Sequence, residues 1–165
     1  MLNSTIPLSE QQKEKLEKLQ QMDLTKSSTQ LLQRSNKAQR QESYKKALVE
    51  LNASFEQHLA GAISIRLDLH SGQTRKLRFK KDRIRLLKQH GIDYLSIDGA
   101  NTAQVLSLIS QSIIHEDAVV TPDLNDAFPF WKEGYSMVQF DNTFDILAED
   151  IQIHYQALIE HLLRV

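Results

Sequence analysis

Three groups of side chains in this sequence have the composition to do chemistry. The first is basic: Arg75, Lys76, Arg78, Lys80, Lys81, Arg83, Arg85 and Lys88 place eight cations in fourteen residues. Such a strip can track the phosphates of a nucleic-acid backbone, and Arg66, Lys76, Arg78, Lys80, Arg85 and Lys88 are the cations that the pattern described below turns to solvent. The competing reading is a solvated or internally neutralised face, since the formal net charge is only −1 and no helix-turn-helix, zinc-finger or RNP signature is present. The second group is aromatic: Phe128, Phe130, Trp131 and Tyr135 lie in the stretch DLNDAFPFWKEGY. Aromatic anchors ringed by charge suit a protein-binding hot spot, or else they tuck inward as a lid on the core.

The third group could bind metal. Asp150, His154 and His161 fall on one side of a helix, an arrangement compatible with a divalent cation and hence with a metal-assisted hydrolase. One helix supplies too few ligands, however, and no second cluster completes the shell, so boundary histidines hydrogen-bonded to carboxylates or water are the simpler reading. His115-Glu116-Asp117 sits at a helix end, where a histidine also complements the helix dipole. Neither cluster is assigned as a site. With no Gly-rich phosphate loop, no HExxH, no Gly-x-Ser-x-Gly and only five glycines, the sequence gives no catalytic residue and no cofactor.

Composition sets the frame for these groups. Apolar residues make up 41% and charged residues 25% of the 165, values of a chain that folds. The absence of cysteine excludes disulfides, thiolate zinc sites and a cysteine nucleophile, and fits a reducing, cytoplasmic setting. No stretch approaches the apolar length of a signal peptide or a membrane span. Charge is segregated: residues 1–60 carry +2, residues 61–88 carry +7 and residues 89–165 carry −10. A chain so polarised folds its basic strip against its own acidic part or shows partners two faces of opposite potential.

The elements that must position these groups follow from periodicity. Ser9 with Gln12 forms a capping box for a first helix, whose stripe of Leu16, Leu19 and Met22 is thin. A second helix is expected over 28–60, packing through Tyr44, Leu48, Leu51, Phe55 and Leu59 and stopping at Gly61, although residues 33–43 are polar all round. The alternation of Ile63, Ile65, Leu67 and Leu69 with Ser64, Arg66, Asp68 and His70 predicts a strand, paired through a hairpin with 74–80. Parity sets Leu67 opposite Leu77 and Ile65 opposite Phe79, leaving Arg66, Asp68, Lys76, Arg78 and Lys80 on the outer face. Next come a helix at 82–90 ended by Gly91, a strand at 92–97, a helix at 101–115, a long loop over 117–134, and a short strand at 135–140. A final helix, 142–164, carries the seam Phe144, Leu147, Ile151, Tyr155, Leu158 and Leu162.

The expectation is therefore an α+β protein: a helical N-terminal arm over 1–60, then a domain over 61–165 with a small, mostly antiparallel sheet covered by helices. The expected function is non-catalytic binding or regulation, through nucleic acid at residues 66–88. A protein-only adaptor or inhibitor using the acidic, aromatic C-terminal part stands second, and the hydrolase third. The arm or the C-terminal helix offers a coiled-coil surface for a homodimer.

Overall fold

The longest apolar stripes in the chain have helical spacing, and they set the architecture. In the computed structural model, which describes residues 7–129 and 131–164, eight α-helices follow one another. They are α1 (Glu10–Gln20), α2 (Lys26–Gln33), α3 (Arg40–Leu67), α4 (Ser71–Thr74), α5 (Lys80–Gln89), α6 (Ala100–His115), α7 (Pro122–Ala127) and α8 (Phe140–Arg164). Three-residue-per-turn helices occupy Lys37–Gln39, Arg75–Arg78 and Tyr94–Ser96. Among the described residues there is no strand, only one antiparallel bridge between Val119 and Ser136.

The protein is all-helical, which overturns the α+β expectation together with the hairpin at 62–80 and the strands at 92–97 and 135–140. The reason lies in what the alternating pattern buries. Leu59, Ala62, Ile63 and Arg66 are the buried positions, continuing the spacing of Leu48, Leu51 and Phe55, whereas Ile65 and Leu67 are only half-buried. Alternation of Ile and Leu thus overlays a helical stripe whose other members are Ala62 and the stem of Arg66. Gly61 does not stop the helix: one glycine in an established helix costs about 1 kcal/mol, and nothing else there breaks the ladder. The hairpin would instead have set Arg66 opposite Arg78 on one face of an isolated two-stranded ribbon, a like-charge pair that repels, with Asp68 facing only Lys76.

The true end of α3 is a Schellman turn. Asp68 takes the left-handed conformation (φ 51°), its N–H donates to Ile65 O at 3.3 Å, and the Leu69 N–H donates to Ser64 O at 3.0 Å. Helix α5 ends the same way, at Gly91 as the sequence predicts, with the Ile92 N–H on Leu87 O at 2.9 Å.

The chain divides into two units. One comprises the chain up to Met22, Glu56–Ala100, and the chain from Ile153 on. The other comprises Asp23–Phe55 and Asn101–Gln152, so α3 and α8 each contribute to both. Residues 1–60 are likewise distributed between the two.

In the first unit, the Ser9 capping box forms as read, and the same Gln12 side chain donates onward to Ile65 O at 2.8 Å. Leu16 is fully buried, Tyr155 Oη donates to Leu19 O at 2.8 Å, and Gln20 Nε2 donates to Gln156 O at 3.1 Å. Leu59, Ile63, Leu77, Leu87, Ile92, Leu158 and Leu162 are buried with them.

In the second unit, Leu24, Leu48, Leu51, Val105, Leu106, Ile109, Leu124, Phe144 and Ile151 are buried. The polar stretch 33–43 is where the expected single helix breaks, with Asn36 Oδ1 accepting from the Gln39 N–H at 3.1 Å. Gln41 Oε1 accepts the Phe140 N–H at 2.8 Å, fixing the start of α8. Part of the expected loop over 117–134 is helical, because Thr121 caps α7 and Pro122 occupies its first turn.

Two glycines of the first unit should respond to alanine with opposite sign. A Cβ on Gly61 meets nothing within 4 Å and φ there is helical, so Gly61→Ala should raise stability by roughly 0.5–1 kcal/mol. Gly99 has φ +86° and a Cβ would lie 2.7 Å from His154 Cβ, so Gly99→Ala should lower stability by about 1–2 kcal/mol from the backbone alone. Chemical denaturation of both variants measures the difference, and a stabilised Gly99→Ala would contradict the close packing of Gly99 on His154.

Candidate nucleic-acid interface

Within the first unit, the basic residues are carried by the turn Arg75–Arg78 and α5. Two apolar side chains anchor this segment, Leu77 and Leu87, each 1% exposed. The third anchor is cationic. Arg83 is buried, with Nη1 donating to Leu77 O at 3.0 Å and Nη2 3.5 Å from Glu56 Oε1. It ties the end of the turn to α5 and to α3, and is thereby withdrawn from any ligand.

The other seven cations of this segment, Arg75, Lys76, Arg78, Lys80, Lys81, Arg85 and Lys88, are exposed. Arg85 pairs with Asp82 at 2.7 Å, and among the described residues no ion pair involves the remaining six. On α5, Lys81, Arg85 and Lys88 recur at spacings of four and three and therefore share one face. On the preceding turn, with three residues per turn, Arg75 and Arg78 eclipse each other. Helical geometry thus arranges these five charges in two short rows.

Arg66 does not belong to this surface. It is 4% exposed, and its Nε donates to Leu162 O at 3.0 Å, occupying a carbonyl at the C-terminal end of α8. Arg78, Lys76, Lys80, Arg85 and Lys88 are placed together on one segment, with Arg75 and Lys81 added to them. Phe79, read from the sequence as an inward residue facing Ile65, is 65% exposed in the middle of the lysines and arginines. A helical reading of 80–89 would have found it: stepping back three or four residues from Ile84 reaches Lys81 and Lys80, so the apolar stripe of α5 stops short of Phe79.

The aromatic loop lies in the second unit and its members part company. Trp131 is 4% exposed, Phe128 is half-buried with its ring edge-on to Trp131 at 5.5 Å, and Tyr135 is 71% exposed. Phe130 lies outside the described residues. The loop is pinned by Asn125 Nδ2 donating to Trp131 O at 2.6 Å and by the Val120 N–H donating to Tyr135 O at 2.8 Å. Phe128 also lines a cleft of about 480 Å³ with Ile146, Leu147 and Asp145 of α8.

Of the histidine cluster, Asp150 is exposed, His161 half-buried and His154 fully buried. Among the described residues no group of three or more His, Asp or Glu is disposed to hold a metal ion. His154 is held instead by both ring nitrogens, Nδ1 at 2.7 Å from Asp98 O and Nε2 at 3.0 Å from Tyr94 Oη. A carbonyl can only accept, so Nδ1 carries the proton and Nε2 accepts from the tyrosine. Burial pushes the Tyr94 phenol up to about 12, keeping it a donor at neutral pH, and burial lowers the His154 pKa, only partly offset by the Asp98 carbonyl. The seam residues Phe144, Leu147, Ile151, Tyr155, Leu158 and Leu162 are all buried by the chain's own packing.

No protein-family model, curated protein or solved structure matches the chain. No helix among the described residues is long and apolar enough to cross a membrane.

The buried histidine makes stability pH-dependent with a definite sign. Its folded pKa lies below the unfolded value of about 6.5, so in the window beneath that value the unfolded chain binds more protons. The His154 contribution is complete above about pH 6.5 and declines as the pH falls below it, by at most about 1.4 kcal/mol per pH unit. Asp141, held below the usual carboxylate range by hydrogen bonds from Gln41 and the Asn142 amide and by Arg40, acts only in the lower window near pH 4. Unfolding free energies at pH 7 and pH 5 should differ less in His154→Gln than in the wild type. Equal differences would remove His154 as the cause.

Proposed function

We propose that this chain is a non-catalytic nucleic-acid-binding protein whose contact surface is the basic segment 75–88. The observation that carries the reading is the exposure of seven cations in that segment, six of them outside any ion pair among the described residues, on a scaffold fixed by buried Leu77, Arg83 and Leu87. Cations held outside ion pairs keep their attraction for phosphate, and binding releases the counterions condensed on the nucleic acid. The residue pattern around them gives no base-reading helix, so recognition is of the backbone and not of sequence. A cysteine-free protein with this ligand suits the cytoplasm.

Affinity for nucleic acid should fall steeply with salt, each lost phosphate contact flattening the log–log slope by about one. Arg78→Glu with Lys80→Glu should weaken binding to all sequences alike while the melting temperature holds, because both side chains are exposed. Arg66→Met should do the reverse, lowering stability and sparing the slope. A wild type that binds no oligonucleotide at low salt ends this reading.

A second reading, of a protein partner, is favoured by the cleft of Phe128, Ile146 and Leu147 in the second unit. Ile146 remains 59% exposed, and residues 101–152 carry nine acids against the single base Lys132. Apolar lining with acidic surroundings fits a basic amphipathic helix laid in by its apolar face. Fluorescence anisotropy with a labelled Leu/Lys helical peptide should show binding that Ile146→Glu abolishes, although this variant makes the surface more acidic. Binding strengthened by Ile146→Glu would mean charge attraction alone.

A further inference from the structure

We propose, resting on the nucleic-acid reading above, that the basic segment takes single-stranded nucleic acid and that Phe79 is the platform on which a base stacks. Large apolar side chains in this protein are mostly buried, and Phe79 is the exposed one that falls within the basic segment, 65% accessible between Arg78 and Lys80. Its ring is presented from a fixed backbone. Phe79 is extended (φ −101°, ψ 129°), its carbonyl accepts the Arg83 N–H at 3.0 Å, and its neighbour Leu77 is buried with a carbonyl held by Arg83 Nη1. A phenyl ring on such a support has only two side-chain torsions to order when it meets a ligand.

The choice of strand form follows from what a ring face can reach. In a duplex the base faces are stacked on one another, and inserting a side chain means unstacking a step. In a single strand each base has an open face, and stacking on an aromatic side chain beside a cationic track is tolerant of sequence. The track is present: Lys81, Arg85 and Lys88 share one face of α5 over about 10 Å of helix, along which a strand's backbone can run. Arg78 and Lys80 flank Phe79 in sequence, and both are exposed.

Anisotropy titrations with a fluorescein-labelled oligothymidylate and with the corresponding dA·dT duplex separate the possibilities. Phe79→Ala and Phe79→Leu should each weaken oligothymidylate binding by about ten- to a hundredfold, with the salt slope unchanged because the cations remain. Duplex affinity should be unaffected, and Phe79→Trp should bind the single strand as well as the wild type or better. Since the ring is exposed, all three variants should melt like the wild type. Single-strand affinity unchanged in Phe79→Ala and Phe79→Leu, or lost in parallel with duplex affinity, overturns the stacking role while leaving a basic nucleic-acid surface in place. A wild type that binds neither probe at low salt overturns the surface itself.

Discussion

The last four carbonyl oxygens of an α-helix have no partner along their own helix, and an all-helical chain has no sheet to absorb them. In the first unit, side chains from other elements answer this constraint repeatedly. Gln12 reaches Ile65 O and Arg66 O at the end of α3, Arg66 reaches Leu162 O at the end of α8, and the Tyr155 hydroxyl reaches Leu19 O at the end of α1. His90 closes the end of its own helix at Leu86 O. Each such bond satisfies a polar group and at the same time fixes where a helix ends, which is what brings α1, α3 and α8 into register within that unit. In the second unit the same need at helix starts is met by Gln41 on the Phe140 amide and Thr121 on the Leu124 amide.

Capping explains why some of the fold was legible and some was not. The capping box of Ser9 and Gln12, the stripe of α6, the stop at Gly91 and the seam of α8 are local patterns, carried by residues within a few positions of one another, and each is found where the sequence puts it. The 62–80 region failed because its decisive contacts are distant. The Ile65 carbonyl is met by Gln12, more than fifty residues away in sequence, and Arg66 is drawn inward by a carbonyl nearly a hundred residues away. Nothing in the alternation of isoleucine, arginine and leucine announces that the arginine is the buried member.

The same limit applies to the surface. Charge density singles out residues 75–88 as a basic segment, yet density says nothing of which cations are consumed by the fold. Arg83 and Arg66 both serve backbone carbonyls, while Arg75 and Lys81, given no special place by the hairpin register, stand exposed. His154 shows the converse. A residue whose spacing with Asp150 and His161 suggested a ligand is turned inward to Tyr94 and the Asp98 carbonyl, at a point where only glycine fits beside it.

Trp131 is the chain's single tryptophan, buried, edge-on to Phe128, and its indole N–H has no hydrogen-bond acceptor among the described residues. An indole so placed emits at short wavelength, and its emission shifts to the red when water reaches the ring. Because Phe128 also lines the cleft on α8, intrinsic fluorescence is an internal reporter for that cleft. The basic segment contains no tryptophan and adds no indole signal of its own, so the two surfaces can be followed with the protein itself unlabelled, one by its emission and the other by the mobility of a labelled oligonucleotide.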